Sequence, residues 1–152
     1  MTVELIYWDS ATFLAYFQNE PGRVDLCRGT LERAEAGNVA IITSTLSIAE
    51  CLWLRGHEPI PRDRADIVQR FFRRSFIRVR NVTRNISESA QDLVWNQSIK
   101  PKDAIHVATA LEAKIYILET FDDGLIGKTG QIGNPPLLIR KPIATAQKNL
   151  QF

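Results

Sequence analysis

Residues 3–17 read VELIYWDSATFLAYF, and within this stretch the chain changes from one periodicity to another at Asp9. Residues 3–8 are rich in β-branched and aromatic side chains, which is typical of a strand. From Ser10 onward, aromatic and leucine side chains recur at the spacing of one helix face. The sequence therefore predicts a strand, a carboxylate at its end, and a helix that begins at once.

The same alternation of strand and helix patterns continues along the chain. Apolar, β-rich runs predict four further strands at residues 39–42, 76–79, 115–118 and 137–139. Helical patterns occupy residues 24–36, 47–55, 61–74, 86–95 and a segment that Pro101 opens. Strands joined by helices form right-handed crossovers, so we predict an α/β fold with a parallel sheet covered on both faces.

Composition is typical of one ordinary globular domain. Of the 152 residues, 45% are hydrophobic and 24% charged, which suffices for a single core. We expect one domain over residues 1–152, with a polar tail from about residue 143. Cys27 and Cys51 lack metal-ligand spacing, and the chain has neither a basic leader nor a long apolar run. These features predict a cytoplasmic protein with reduced thiols and no membrane span.

Four carboxylates lie where predicted strands and helices meet, namely Asp9, Glu50, Asp103 and Asp122. Two of them follow strands directly, Glu50 lies in the first turn of a predicted helix, and Asp103 lies near the start of another. The carboxyl ends of parallel strands form the ligand crevice in such folds, so all four acids are expected at one rim. Acidic groups gathered in this way can share a divalent cation.

Each acid also has a purely structural explanation. Asp9 and Asp103 suit helix starts, Ser47 and Glu50 match the S-x-x-E capping box, and residues 122–124 suit a turn. Capping does not require every acid to face the same rim, however. Hydroxyl residues also accompany the acids, at Ser10, Ser44 and Thr120. We therefore favour a shared metal site over four unrelated caps and turns.

Four segments in chain order resemble the PIN-domain nucleases, and in particular the VapC-type toxins of toxin–antitoxin pairs. They are Tyr7-Trp8-Asp9-Ser10, Ser47-Ile48-Ala49-Glu50, Lys100-Pro101-Lys102-Asp103-Ala104-Ile105-His106 and Thr120-Phe121-Asp122. The resemblance implies a single PIN-like domain, a three-layer α/β/α sandwich with a central, mainly parallel sheet. It also implies Mg²⁺ or Mn²⁺ at the acids, endonucleolytic cleavage of RNA, an antitoxin partner and a homodimer.

The site roles follow from this resemblance and from the chemistry of phosphodiester hydrolysis, which needs an activated water and cations beside the phosphate. The metal shell is expected to contain Asp9, Asp103 and Asp122. Glu50 is expected to bind metal directly or through water and to orient the nucleophile. Many relatives carry a further Asp or Asn two residues after the last acid, whereas this chain has Asp123 next to it, which we take as an auxiliary ligand.

Three neighbouring side chains are expected to play supporting parts. Ser10 and Thr120 can hydrogen-bond the carboxylates or metal-bound water and fix their orientation, or else serve as caps and turn formers. His106 shares a helix face with Asp103, but a hard cation prefers oxygen, so we expect a satisfied helical histidine rather than a general base.

Charge is unevenly distributed along the chain. The formal net charge is +2, but the segment between Arg62 and Arg84 holds eight arginines and two aspartates and carries +6, so the rest carries −4. Two interpretations stay open, a solvated helix face with a strand edge or a patch that binds the RNA backbone. In the second case, replacing Arg73 and Arg74 weakens RNA binding.

Other functions fit the sequence less well. A haloacid-dehalogenase-like phosphatase needs a second Asp where this chain has Ala11, and a receiver domain needs an Asp where it has Asn81. The remaining alternative is a non-catalytic PIN-like module for RNA binding or assembly. Mutually repelling carboxylates are unfavourable without a cation, so a degenerate module has no chemical reason to keep four of them.

Overall fold

The computed structural model describes residues 2–144 and contains one five-stranded sheet. The strands are β1 (Glu4–Trp8), β2 (Val39–Ser44), β3 (Ile77–Arg80), β4 (Ile117–Glu119) and β5 (Leu138–Arg140). Their order is β3-β2-β1-β4-β5, and every neighbouring pair is parallel. The predicted α/β class with a parallel sheet is confirmed. Most of the predicted polar tail lies outside the described residues.

Helices cover both faces of the sheet and complete a three-layer sandwich. Within residues 2–144 they are α1 (Ser10–Phe17), α2 (Val24–Glu35), α3 (Thr45–Glu50), α4 (Ala65–Phe71), α5 (Arg84–Gln97), α6 (Pro101–Glu112) and α7 (Asp123–Ile126). A 3-10 turn, Arg62–Arg64, precedes α4. Among these helices none has both the length and the apolar character needed to cross a membrane.

The central strand β1 is buried on both sides because it separates two hydrophobic cores. Ile6 and Trp8 pack with α1, α2 and α4, and Trp8 meets the ring of Phe13 at 5.0 Å between centroids. Tyr7 points to the other face, where it packs with α5 and α6. This double burial explains why the strand reads as a nearly continuous apolar run rather than as an alternating one.

The start of α3 differs from the sequence prediction. The helix begins at Thr45, because the Ser44 hydroxyl accepts a hydrogen bond from the backbone N–H of Leu46. Glu50 therefore ends the helix, so its predicted place in the first turn is wrong, and the capping box weighed as a structural alternative does not form. The Ser47 hydroxyl instead lies 2.8 Å from the Thr43 hydroxyl inside the core. Three consecutive hydroxyl residues could each cap a helix, and the sequence does not distinguish among them.

A buried carboxylate, Glu119, ties four elements of the fold together. It is fully buried and accepts hydrogen bonds from the Trp8 indole at 2.9 Å and the Thr30 hydroxyl at 2.6 Å. Its other oxygen is 3.4 Å from the guanidinium of Arg140. These contacts connect β1, α2, β4 and β5. These contacts were not predicted from the sequence, because a Glu at a strand end has no local signal of burial.

We expect Glu119→Ala to lower the free energy of unfolding by roughly 3 kcal/mol, because it leaves an indole, a hydroxyl and a guanidinium without their shared acceptor. The matched control is Glu112→Ala, whose carboxylate forms a half-exposed pair with Arg80 and should cost at most about 1 kcal/mol. Urea unfolding of both variants measures the difference. Equal losses in the free energy of unfolding would mean that the contacts of Glu119 do not stabilise the fold.

Candidate active site

The carboxylate of Asp9 is held from two directions at the carboxyl end of β1. It is 4% exposed and caps α1, where one oxygen accepts from the Thr12 backbone N–H at 3.0 Å and the Thr12 hydroxyl at 2.6 Å. The other oxygen accepts from the Thr120 hydroxyl at 2.6 Å. Asp9 is therefore both a helix cap and a side chain of fixed orientation. Thr12 was not anticipated, although a hydroxyl three residues after a capping Asp is a recognisable signal.

Glu50 reaches the same rim from the end of α3. Its Oε1 accepts from the Ser10 hydroxyl at 2.6 Å and lies 3.3 Å from Nε2 of His106, while Oε2 is 3.6 Å from the Lys102 ammonium. Burial opposes its charge, but hydrogen bonds from His106 and Ser10 and the positive charge of Lys102 outweigh that effect and lower the pKa of Glu50. Glu50 is thus held as an ionised acceptor.

Asp103 is the acid whose charge is least favourable. It lies in the first turn of α6, half-buried, and its side chain contacts that of Asp122. Burial comes first among the causes that raise its pKa to about 6, followed by the negative charges of Asp122 and Asp9. Asp9, Asp103 and Asp122 are therefore close enough to repel one another, although more than a hundred residues separate the first from the last.

The neighbouring acids Asp122 and Asp123 have different surroundings. Asp122 caps α7, where its side chain accepts from the Gly124 backbone N–H at 2.9 Å. This short helix replaces the simple turn considered from the sequence. Asp123 is exposed and lines a separate depression with Arg23 and Lys141. Its role as an auxiliary metal ligand stays a prediction.

Two adjoining clefts open at this rim. The larger, about 460 Å³, is lined by Asp9, Glu50 and Asp103 among other residues, and the smaller, about 270 Å³, by Asp103 and Asp122. Lys100 and Asp103 line both. Cationic side chains accompany the acids, with Arg55 and Lys102 in the first cleft and Lys128 in the second. The acids thus lie in a channel whose walls also carry positive charge.

The carboxylate oxygens of the acids at this rim are suitable ligands for a hard divalent cation. Within residues 2–144, no three His, Cys, Asp or Glu side chains have an arrangement that holds a metal ion unaided. Mg²⁺, however, is usually bound by one or two carboxylates together with water and substrate phosphates. The contact between Asp103 and Asp122, with the charge of Asp9 nearby, provides such a pair. A bound cation would relieve the repulsion that raises the pKa of Asp103.

Part of the arginine-rich segment lies apart from this rim. Arg73 and Arg74 precede β3 and so stand at its amino end, whereas the acids follow the carboxyl ends of β1 and β4. The Arg74 guanidinium lies over the Phe71 ring, 5.3 Å from its centroid. The cations that accompany the acids come from other parts of the chain; Lys100 and Lys102 belong to the motif quoted from the sequence, whereas Arg55 and Lys128 were not anticipated.

Comparison with known proteins gives a family match and several similar folds. The profile of the PIN domain matches residues 6–129, which is most of the chain. Curated proteins give no match. The crystal structure of VapC20 from Mycobacterium tuberculosis, described as a sarcin-ricin loop cleaving toxin, is 21% identical with a TM-score of 0.60, covering 80% of this chain and 94% of that one.

Two further solved structures have a similar fold. A toxin–antitoxin complex from Klebsiella pneumoniae is 20% identical with a TM-score of 0.56, covering 77% of this chain and 86% of that one. VapBC2 from Rickettsia felis, bound to a DNA fragment from its promoter, is 14% identical with a TM-score of 0.61, covering 90% of this chain and 97% of that one. At these identities the likeness establishes the three-layer fold, which confirms the sandwich predicted from the sequence.

The raised pKa of Asp103 predicts a pH-dependent stability in metal-free protein. Its folded pKa of about 6 exceeds the ordinary value of 3.8, so its stabilising contribution is complete below the ordinary value and is lost as the pH rises through 6. In EDTA, Asp103→Asn should therefore be more stable than wild type at about pH 7.5, and the gain should shrink towards about pH 4.

Urea unfolding at the two pH values measures this effect. The control is Asp92→Asn, an exposed acid on α5, which should show no such pH-dependent gain. A gain for Asp103→Asn that does not change with pH would contradict the raised pKa of Asp103.

Proposed function

Because this chain belongs to the PIN-domain family, we propose that it is a divalent-metal-dependent endoribonuclease and the toxin of a toxin–antitoxin pair. One observation carries the proposal, which is that Asp9, Asp103 and Asp122 lie close together at one rim, where burial and the charges of the other two acids raise the pKa of Asp103 to about 6. Carboxylates crowded in this way are suited to a cation. The toxins among the similar structures support the assignment to a toxin.

The residues of the rim divide into metal holders and residues that orient them. Asp9, Asp103 and Asp122 would hold the cation, with Glu50 joining directly or through water. A bound cation would neutralise charge on the phosphate and acidify the attacking water. Thr12 and Thr120 fix the Asp9 carboxylate by hydrogen bonds, so little reorientation is needed when charge develops.

Glu50 has the properties required to orient the attacking water. Hydrogen bonds keep it ionised, and one of its oxygens is taken up by Ser10 and His106. The second oxygen, beside exposed Lys102, faces the cleft. An ionised carboxylate whose second oxygen has only an exposed ammonium group beside it can still accept a hydrogen bond from water and direct the water's lone pair towards phosphorus.

The substrate would lie along the two clefts. Arg55, Lys100, Lys102 and Lys128 line their walls beside the acids. Phosphates of a single strand are attracted to such side chains irrespective of sequence. This arrangement supports a polynucleotide substrate, since a small phosphate ester needs fewer cations spread over a shorter distance.

An antitoxin is the protein partner that we infer. Two of the similar structures are complexes of this kind, one described as a toxin–antitoxin complex and the other as VapBC2. A cytoplasmic location follows from the same proposal, because RNA and antitoxin are both found there. A homodimer remains an expectation from the family resemblance.

Purified protein should cleave members of a mixed panel of structured and single-stranded RNAs with Mg²⁺ or Mn²⁺ and not with EDTA. Asp9→Asn and Asp103→Asn should each lower the cleavage rate by at least about 100-fold, because several kcal/mol of charge stabilisation are lost with the cation site. Asp92→Asn, at an exposed acid on α5 that lines neither cleft, is the control and should cleave at the wild-type rate.

The outcomes of that assay separate the two functions considered. Cleavage that persists in EDTA would remove the metal from the mechanism. Folded protein that binds RNA, cleaves none of the panel and binds no Mn²⁺ would favour the non-catalytic module. Cleavage by Asp103→Asn at the wild-type rate would remove Asp103 from the site.

The salt dependence of RNA binding should identify which cations contact the backbone. In an Asp103→Asn background, where RNA stays intact, replacing Lys100 and Lys102 by Ala should weaken binding and lower the slope of log K against log salt by roughly 0.7 per lost phosphate contact. The matched double variant at Arg73 and Arg74 removes equal charge at the amino end of β3 and should change the slope less. The reverse ranking would place the RNA on the arginine-rich segment.

A further inference from the structure

A continuous chain of polar side chains leads from the sheet to Glu50. The Tyr7 hydroxyl is 2.7 Å from Nδ1 of His106, and Nε2 of the same ring is 3.3 Å from Oε1 of Glu50. Ser10 completes the group, with its hydroxyl 2.6 Å from that oxygen and 3.2 Å from Nε2. Tyr7, Ser10 and His106 are at most 2% exposed, and Glu50 is 7% exposed.

The chemistry of these groups determines the direction of the hydrogen bonds. Burial raises the pKa of Tyr7, so the phenol keeps its one hydrogen. A neutral His106 with hydrogen on Nδ1 would turn the bare Nε2 lone pair towards the Glu50 carboxylate, and two acceptors would then face each other. With hydrogen on Nε2, Tyr7 donates to Nδ1 and His106 donates to Glu50. An imidazolium ring would also carry hydrogen on Nε2.

We propose that His106 is a positioning residue, whose Nε2–H holds Oε1 of Glu50 while the hydroxyl of Tyr7 holds the imidazole ring. The consequence is that Oε2 of Glu50 is directed into the cleft. Lys102 indicates that direction, since its ammonium lies 3.6 Å from Oε2 and its side chain is 70% exposed. The catalytic effect of this arrangement rests on the proposed nuclease function, whereas the arrangement itself does not.

His106 is unsuited to the two roles that a histidine beside carboxylates usually suggests. As a metal ligand it would have to present a bare ring nitrogen, but both of its nitrogens have partners within the buried group. As a general base it would have to accept a proton at Nε2, which already carries one. Acting through Glu50 is the remaining role, and it matches the way outer hydrogen bonds orient the carboxylates of metal sites.

The first test reads the tautomer of His106 directly and needs neither RNA nor metal. The chain contains two histidines, so a His57→Gln variant leaves one ring to observe in long-range ¹H–¹⁵N correlation spectra. We expect hydrogen on Nε2 in the wild-type arrangement. Tyr7→Phe removes the donor to Nδ1 but leaves the Glu50 carboxylate opposite Nε2, so the same tautomer should persist with its Nδ1 resonance shifted by the lost hydrogen bond. A ring with a bare Nε2 and hydrogen on Nδ1 would overturn the proposal.

The second test asks whether the orientation of Glu50 matters. His106→Leu should weaken Mn²⁺ binding or lower kcat by about 10–100-fold with little change in KM. His106→Gln, whose amide can donate from nearly the same place as Nε2–H, should restore much of the loss. Val107→Ala is the control, because it removes buried volume from the next position of α6 without touching Glu50.

The results distinguish failure of this inference from failure of the proposed function. Wild-type activity and Mn²⁺ affinity in folded His106→Leu would overturn the positioning role. A loss that Gln does not restore and that Val107→Ala reproduces would also overturn it, since packing alone would then explain the effect. If wild-type protein cleaves no RNA, the nuclease proposal fails, while the tautomer and Mn²⁺ measurements still decide the role of His106.

Discussion

The parallel pairing of β1 with β4 is the constraint on which the rest of the site depends. Trp8 is in register with Glu119, so the next residues of the two strands, Asp9 and Thr120, emerge side by side. The same register brings the Trp8 indole to the buried Glu119 carboxylate. One strand pairing thus sets both a structural tie within the core and the orientation of the first acid. A shift of one residue would separate both pairs.

The acids at the rim differ in how far the protein compensates their negative charge. Asp9 and Glu50 receive hydrogen bonds from buried hydroxyl groups, and Glu50 also from His106, so their carboxylates are compensated within the protein. Asp103 has Asp122 as its neighbour and a raised pKa. Negative charge that the protein does not compensate lowers the stability of the fold and is typical of ligand-binding sites. Among Asp9, Glu50 and Asp103, the charge of Asp103 is therefore the one that the protein compensates least.

Local patterns in the sequence were sufficient for most of the fold. The switch at Asp9, the Pro101 helix start and the apolar strand runs predicted elements that the structure contains, because each depends on neighbouring residues. The predicted start of α3 was wrong because several adjacent hydroxyl residues can each cap this helix. The short helix α7 was not predicted, and a turn was weighed in its place only as an alternative, since four residues carry too little periodicity to separate a helix from a turn.

The sequence by itself determined which acids lie at strand ends and helix termini, and the order in which strands and helices follow one another. Only the tertiary structure decided how these acids are held. Thr120 reaches Asp9, His106 reaches Glu50, and Glu119 is buried, all through contacts between residues far apart in the chain. Such contacts depend on strand order and helix placement in three dimensions, and no local spacing encodes them.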